Sequence, residues 1–330
     1  MTPELFNIIG FFIFIIGLCI GSFLNVVSLR AFTGESIVLP PSKCPKCGAK
    51  IKPYDNIPVL SYLILGGKCR NCKGSISIQY PIVEFVTGIG FLCLYNMFAP
   101  LMFDLPVRWQ NFVLFPFFLI IFSLSVVISV TDIKEKVVFD IHTIPLLVII
   151  ILFKFSGGTA MFGDALLGMF AGAVLMELLS GIGWVLVRKR AFGTGDTYIA
   201  ASMGALLGVK MFVVALVTAI IIQMAFIIPS FIKKLANDGE YKLITLFGVF
   251  TVMLIFYKLP TFDAFSDVIK YIFVILLTIV GIYLCKLVLT LKSLKENPTY
   301  WPFGPSLLIA MFLVAMYGGI IQHFYLTLVY

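Results

Sequence analysis

The chain is written as a series of long apolar runs separated by short polar stretches. The runs occupy residues 5–29, 80–98, 112–131, 141–155, 160–187, 197–207, 211–232, 243–257, 268–291 and 303–328. About 20 apolar residues carry a helix across the hydrocarbon core. The pattern therefore predicts an all-α polytopic membrane protein with about ten transmembrane helices. The sixth run is short and edged by glycine. One polar block of any size, residues 30–79, interrupts the pattern. The expected organisation is a first helix at 1–29, a small loop domain at 30–79, and a helical membrane domain over 80–330.

Composition agrees. Of 330 residues, 61% are hydrophobic and only 12% charged, a balance no soluble globular domain has. The formal charge of +8 is not read as nucleic-acid binding, because lysine and arginine gather between the apolar runs. Arg30, Lys43, Lys46, Lys50, Lys52, Lys68, Arg70 and Lys73 all lie between the first two runs, so that loop is expected inside the cell. Ten spans put both termini outside and set Lys134, Lys136, Arg188, Lys189, Arg190, Lys233, Lys234 and Lys292 on the same inner side. Glu4, with no basic residue before the first run, argues for a retained first helix and against a cleaved signal peptide.

Two aspartates change the picture. Asp132 closes the run at 112–131, and Asp196 ends the turn Gly193-Thr194-Gly195-Asp196 just ahead of the run at 197–207. A carboxylate at the mouth of a membrane helix is costly to place. An out-and-back helix pair between the two would bring them level at the inner membrane face. There they could share a proton and activate a water, as aspartic peptidases do. The plainer reading of either one alone is an interfacial carboxylate marking a helix end.

Four of the seven cysteines form Cys44-Pro-Lys-Cys47 and Cys69-Arg-Asn-Cys72, with 21 residues between the pairs. Two such knuckles complete a tetrahedral zinc site, and four thiolates leave no open position for catalysis. A reducing interior disfavours disulfides, and a loop with few apolar residues needs a staple to fold. Structural zinc is favoured over a redox role. Cys19, Cys93 and Cys285 are expected to pack within spans, and His142 and His323 to be structural.

With these residues in view, the chain resembles the bacterial type IV prepilin leader peptidases, a group of intramembrane aspartic peptidases. The resemblance begins at Gly21-Ser22-Phe23-Leu24-Asn25-Val26-Val27 with Arg30 and runs through Gly34-Glu35-Ser36 and the paired cysteines. It continues through Tyr54-Asp55-Asn56-Ile57-Pro58, Ser61, Tyr80-Pro81, Glu84, Asp132-Ile133, Asp140 and Gly193 to Asp196. It ends with Gly204-Ala205-Leu206-Leu207-Gly208 and Pro302-Phe303-Gly304-Pro305. It implies an endopeptidase of the bacterial plasma (inner) membrane. Such an enzyme cleaves the basic leader of prepilins and pseudopilins after glycine at the cytoplasmic face, in pilus or type II secretion systems. It implies Asp132 and Asp196 as the catalytic pair. It also implies N-methylation of the new N-terminus with S-adenosylmethionine, whose site would be walled by Glu35, Asp55 and Asn56; solvated loop or turn roles for those three stand equally open. The expected partners are the substrates and membrane lipid, with no nucleic acid.

Three features depart from the resemblance. Tyr198 stands where a lysine is usual, which removes a cation from beside the second aspartate, and Phe139 replaces a proline before Asp140. Between Gly208 and Pro302 the chain carries three runs where one is usual, an expected insertion around 233–291. Two other functions remain: a peptidase without methyltransferase activity, or a transporter using intramembrane acids, for which Glu177 in the middle of the fifth run is the best residue.

Overall fold

The computed structural model describes residues 2–39, 41–103, 109–156, 158–188, 192–257, 266–290 and 302–329. Lys189, Arg190, Leu291 and Lys292 lie outside the described residues, as do the side chains of Cys285 and His323.

The described residues form ten α-helices and one short 3-10 turn. They are α1 (Pro3–Thr33), α2 (Leu60–Ile64), α3 (Gln79–Phe103), α4 (Trp109–Glu135), α5 (Asp140–Ser156), α6 (Thr159–Val187), α7 (Thr194–Asn237), α8 (Tyr241–Tyr257), α9 (Asp267–Thr290) and α10 (Gly304–Val329). Among the described residues, extended backbone pairs only in two isolated bridges, Lys43 with Lys50 and Lys68 with Ser75. The all-α membrane architecture is therefore as the apolar runs predict.

By length and composition, five helices among the described residues can cross a membrane: Pro3–Thr33, Gln79–Pro100, Val113–Glu135, Thr159–Val185 and Thr194–Asn237. Tyr241–Leu254, Ile269–Leu284 and Gly304–Gly319 are shorter apolar helices. The runs at 197–207 and 211–232 are not joined by a loop. They fall on one element, α7, which bends at Gly208 with φ 74 and ψ 168. Glycine alone takes that conformation cheaply, and the Asp164 carboxylate of α6 fills the space a Cβ would need.

Two compact units are present, Met1–Ile220 with Pro302–Tyr330, and Ile221–Trp301. In the first, α1 presents Gly10, Gly17, Gly21, Leu24, Asn25 and Ser28 as its buried face. Small residues let two backbones close together where no water drives helices to associate. A Cβ at Gly17 would lie 2.8 Å from the Gly88 Cα, and one at Gly21 would lie 2.7 Å from the Glu84 Cα. The α6–α7 pair closes in the same way, with Gly168 against the Gly204 carbonyl and Gly172 against the Ala200 carbonyl. Aromatic side chains fill the α1–α3–α4 core, where Tyr95 is flanked by Phe6 and Phe115 and donates its hydroxyl to the Phe6 carbonyl at 3.2 Å. The second unit has its own core of Leu235, Leu243 and Leu284, packed by Phe231, Phe247 and Phe250. Cys19 and Cys93, expected to pack, are instead exposed on the outer faces of α1 and α3. On a membrane helix that face is apolar too, so hydropathy alone does not separate the two positions.

Candidate active site and metal centre

Asp132 lies in the last turn of α4 and Asp196 in the first turn of α7, and both are buried, at 3% and 7% exposure. Each is held by the N-terminal end of a helix, where backbone N–H groups have no partner within the helix. Asp196 accepts from the Gly193 N–H at 3.2 Å, the residue preceding its own helix. This is the returning half of a capping box, with aspartate in the place of the usual glutamate. Asp132 accepts from the N–H of Gly304, the first residue of α10, also at 3.2 Å. The positive end of a helix dipole faces each carboxylate.

Three contacts set these helix ends side by side. The rings of Phe192 and Phe303, each just ahead of its helix, lie 5.1 Å apart. Gly304 sits between Asp132 and Ile199: a Cβ on it would come within 2.5 Å of Asp132 Oδ2 and 3.1 Å of Ile199 Cδ1. Ile199 is one turn beyond Asp196, and the two carboxyl groups are near enough to act on one another electrostatically. From the α4–α5 connection, Val138 covers Gly195 where any side chain would stand. Asp140 is exposed at the start of α5, where a carboxylate complements the helix dipole. Tyr198 is 39% exposed.

Two buried carboxyl groups at one site can share a proton, one acting as base toward water and the other as acid toward a carbonyl oxygen. Sequence reasoning quoted Gly304 only as part of a matching segment. Its role as a donor to Asp132 was signalled, at most, by a Gly-Pro pair opening an apolar run. Val138 had no signal at all.

The loop brings its four cysteines together. The sulfur atoms of Cys44, Cys47, Cys69 and Cys72 all lie within 4.8 Å of one another, and those of Cys44 and Cys72 are 3.9 Å apart. Tetrahedral zinc with about 2.3 Å bonds to sulfur sets its ligands about 3.8 Å apart, so the donor set fits zinc. The two knuckles repeat one another. The Gly48 N–H bonds the Cys44 carbonyl at 2.9 Å, and the Lys73 N–H bonds the Cys69 carbonyl at 3.0 Å. Backbone N–H groups of Cys47 and Lys46 hold the Cys44 thiol below its ordinary pKa, and that of Ala49 does the same for Cys47. Cys72 is pushed up to about 11: the Gly74 N–H lowers it, but desolvation and the neighbouring thiols outweigh that bond. A bound cation would hold such crowded thiols as thiolates.

The residues expected around S-adenosylmethionine all lie in the loop of residues 30–79. Glu35 and Asn56 are exposed, and among the described residues no hydrogen bond or ion pair links Glu35 to Asp55 or Asn56. Asp55 is occupied by Arg70, which grips both carboxylate oxygens at 2.7 to 3.0 Å. That guanidinium holds Asp55 below the usual carboxylate range.

Beside them lies a feature the sequence did not disclose. Glu84 of α3 is buried and accepts the Val59 N–H at 2.7 Å. Val59 has φ 61 and ψ −50, and the Leu60 N–H turns back to the Pro58 carbonyl at 2.6 Å. This is a γ-turn of the rare positive-φ kind, on a β-branched residue.

Comparison with known proteins places these features in a family. Residues 15–98 match the Bacterial Peptidase A24 N-terminal domain, and residues 119–228 match the Type IV leader peptidase family. A prepilin leader peptidase/N-methyltransferase of Myxococcus xanthus (strain DK1622) is 37% identical over 207 residues, 61% of this chain and 58% of that protein. Proteins of the same name from Neisseria gonorrhoeae and Klebsiella pneumoniae are each 32% identical. The alignments cover 64% of this chain and 81% of the first, and 60% of this chain and 85% of the second. No solved structure matches. With most of the Neisseria and Klebsiella proteins covered at this identity, and both halves of the site region matched, the chain belongs to the type IV leader peptidase family.

Proposed function

We propose that this chain is a prepilin leader peptidase and N-methyltransferase whose peptidase centre is Asp132 with Asp196. The observation that carries the reading is the pairing of two buried carboxyl groups, each under a helix N-terminus, around Gly304. In this mechanism the ionised member takes a proton from water, and the resulting hydroxide attacks the scissile carbonyl. The protonated member donates to the carbonyl oxygen; as the C–N bond then breaks, the proton taken from water passes to the leaving nitrogen and a hydroxyl proton of the tetrahedral carbon returns to the other carboxylate. The backbone N–H groups of Gly193 and Gly304 stabilise whichever carboxylate is charged. The substrates are prepilins and pseudopilins, with the leader at the cytoplasmic face of the plasma membrane.

Zinc held by Cys44, Cys47, Cys69 and Cys72 would close the loop of residues 30–79 as a structural site. S-adenosylmethionine supplies the methyl group for the new N-terminus. Residues 233–291 form an inserted helical segment within the membrane domain of 80–330.

The test is cleavage of a purified prepilin by the full-length chain in detergent or nanodiscs. Asp132→Asn and Asp196→Asn are each expected to lower the rate at least about a thousandfold. Cleavage at the parent rate by either variant would sink the aspartyl mechanism. Mass spectrometry of the product reads N-methylation in the same assay.

A further inference from the structure

Glu177 has no part in the mechanism above, yet it is a carboxylate in the middle of a membrane-spanning helix. It lies on the exposed side of α6, in a groove of about 800 Å³ whose wall is otherwise apolar and includes Ala173, Val174, Gly181, Trp184 and Val185. Gly181 leaves open space where a side chain would be, so the groove is cut into the helix surface at that point. A charged group on such a face is expensive unless something answers it. A hydroxyl meets it: the Thr197 Oγ1 donates to Glu177 Oε1 at 3.0 Å.

That partner fixes the position of the groove. Thr197 follows Asp196 directly. One turn along α6 from Glu177, Ser180 donates to the carbonyl of Phe192 at 3.2 Å, the residue ahead of Gly193. The groove is therefore tied at two points to the turn that carries Asp196, one on each side of it. Ser180, Gly181 and Trp184 also surround Glu177 in a smaller polar recess of about 300 Å³. The wall suits an apolar helix, and the one carboxylate suits a cation on that helix.

We propose that this groove receives the apolar segment of the peptide cleaved at Asp132 and Asp196, and that Glu177 binds a lysine or arginine side chain near its scissile bond. This rests on the peptidase reading and adds to it a specificity-determining residue. A carboxylate hydrogen-bonded to the residue after Asp196 sets where along an apolar helix the chain is cut, because the cation can be answered at only one register. Apolar contact alone would let the segment slide.

The experiment is a charge exchange with the full-length chain. The substrates are a prepilin with its basic leader residues and a version with the one nearest the cut changed from Lys or Arg to Glu. Glu177→Gln is expected to raise KM for the basic substrate about tenfold with kcat nearly unchanged, the mark of lost binding rather than lost chemistry. Glu177→Lys is expected to raise it further, and to cleave the acidic substrate better than the parent does. Thr197→Val, which keeps the charge, is expected to keep the parent's preference between the two substrates. The proposal is overturned if Glu177→Lys prefers the basic substrate as strongly as the parent. It is also overturned if every Glu177 variant loses both substrates equally, the result for a lipid-filled or merely structural groove. Failure of the peptidase reading looks different: the parent then cleaves neither substrate.

Discussion

Gly304 donates its backbone N–H to Asp132 Oδ2 at 3.2 Å, across 172 residues of sequence. The same residue is the point at which a side chain cannot be added, since a Cβ would come 2.5 Å from that oxygen. The start of α10 therefore both holds the carboxylate and limits the space beside it.

Gly304→Ala is accordingly expected to displace Asp132 while leaving the helices formed. Misplacement of a reacting group by about 1 Å costs on the order of a hundredfold in rate. The prediction is a kcat for prepilin cleavage lowered about a hundredfold, with circular dichroism and zinc content as in the parent. An alanine variant with parental kcat would show that α10 does not set the position of Asp132.

Gly195 is confined in a different way, because Val138 stands over it. Gly195→Ala pushes the Asp196 turn against that side chain, and activity is expected to fall at least about tenfold. The atom nearest that position is the Val138 Cβ, so Val138→Gly, which removes it, opens the space, and the double variant is expected to recover most of the loss. A double-mutant cycle with no coupling between the two positions would contradict the contact.

The helical architecture was readable in the sequence because a membrane span is a property of one continuous run, and α1, α3, α4 and α6 each answer to one. Asp132 and Asp196 stood out for the same reason, as charges set against apolar runs. What holds them was not readable. The bond from Gly304, the cover from Val138 and the Phe192–Phe303 contact each join segments far apart in the chain. No local periodicity encodes such meetings. The break at Gly208 was half readable: the glycine-edged end of a short run was visible, but only its φ of 74 separates a bend from a loop. The grip of Arg70 on Asp55 was not readable either, because a loop motif does not say which cation will meet its carboxylate.

Glu84 offers a test of how the loop is anchored to the helices. Its carboxylate accepts the N–H of Val59, held in a strained turn, and it is also within reach of the Ser22 hydroxyl. Glu84→Ala leaves a buried donor unanswered, which costs about 1–3 kcal/mol. Glu84→Gln keeps an acceptor oxygen and is expected to lose less than half as much. Unfolding in mild detergent, followed by protease cutting within residues 53–65, measures both. Equal stability of the alanine variant and the parent would mean the turn at Val59 is held by other contacts.

The metal centre gives the last prediction, from the likeness of its two knuckles. The residue after the second cysteine of each is left-handed: Gly48 at φ 70 and Lys73 at φ 57. Glycine is at ease there, whereas a residue with a Cβ is strained by about 1–2 kcal/mol. The knuckles should therefore respond in opposite ways. Gly48→Ala is expected to weaken zinc binding about tenfold and Lys73→Gly to strengthen it severalfold, since the binding energy of such a site is also the folding energy of its loop. Elemental analysis should find about one zinc per chain, lost in Cys72→Ser. Competition with a chelating dye ranks the two turn variants. Weaker binding in both would show that the Lys73 side chain contributes more than its backbone strain costs.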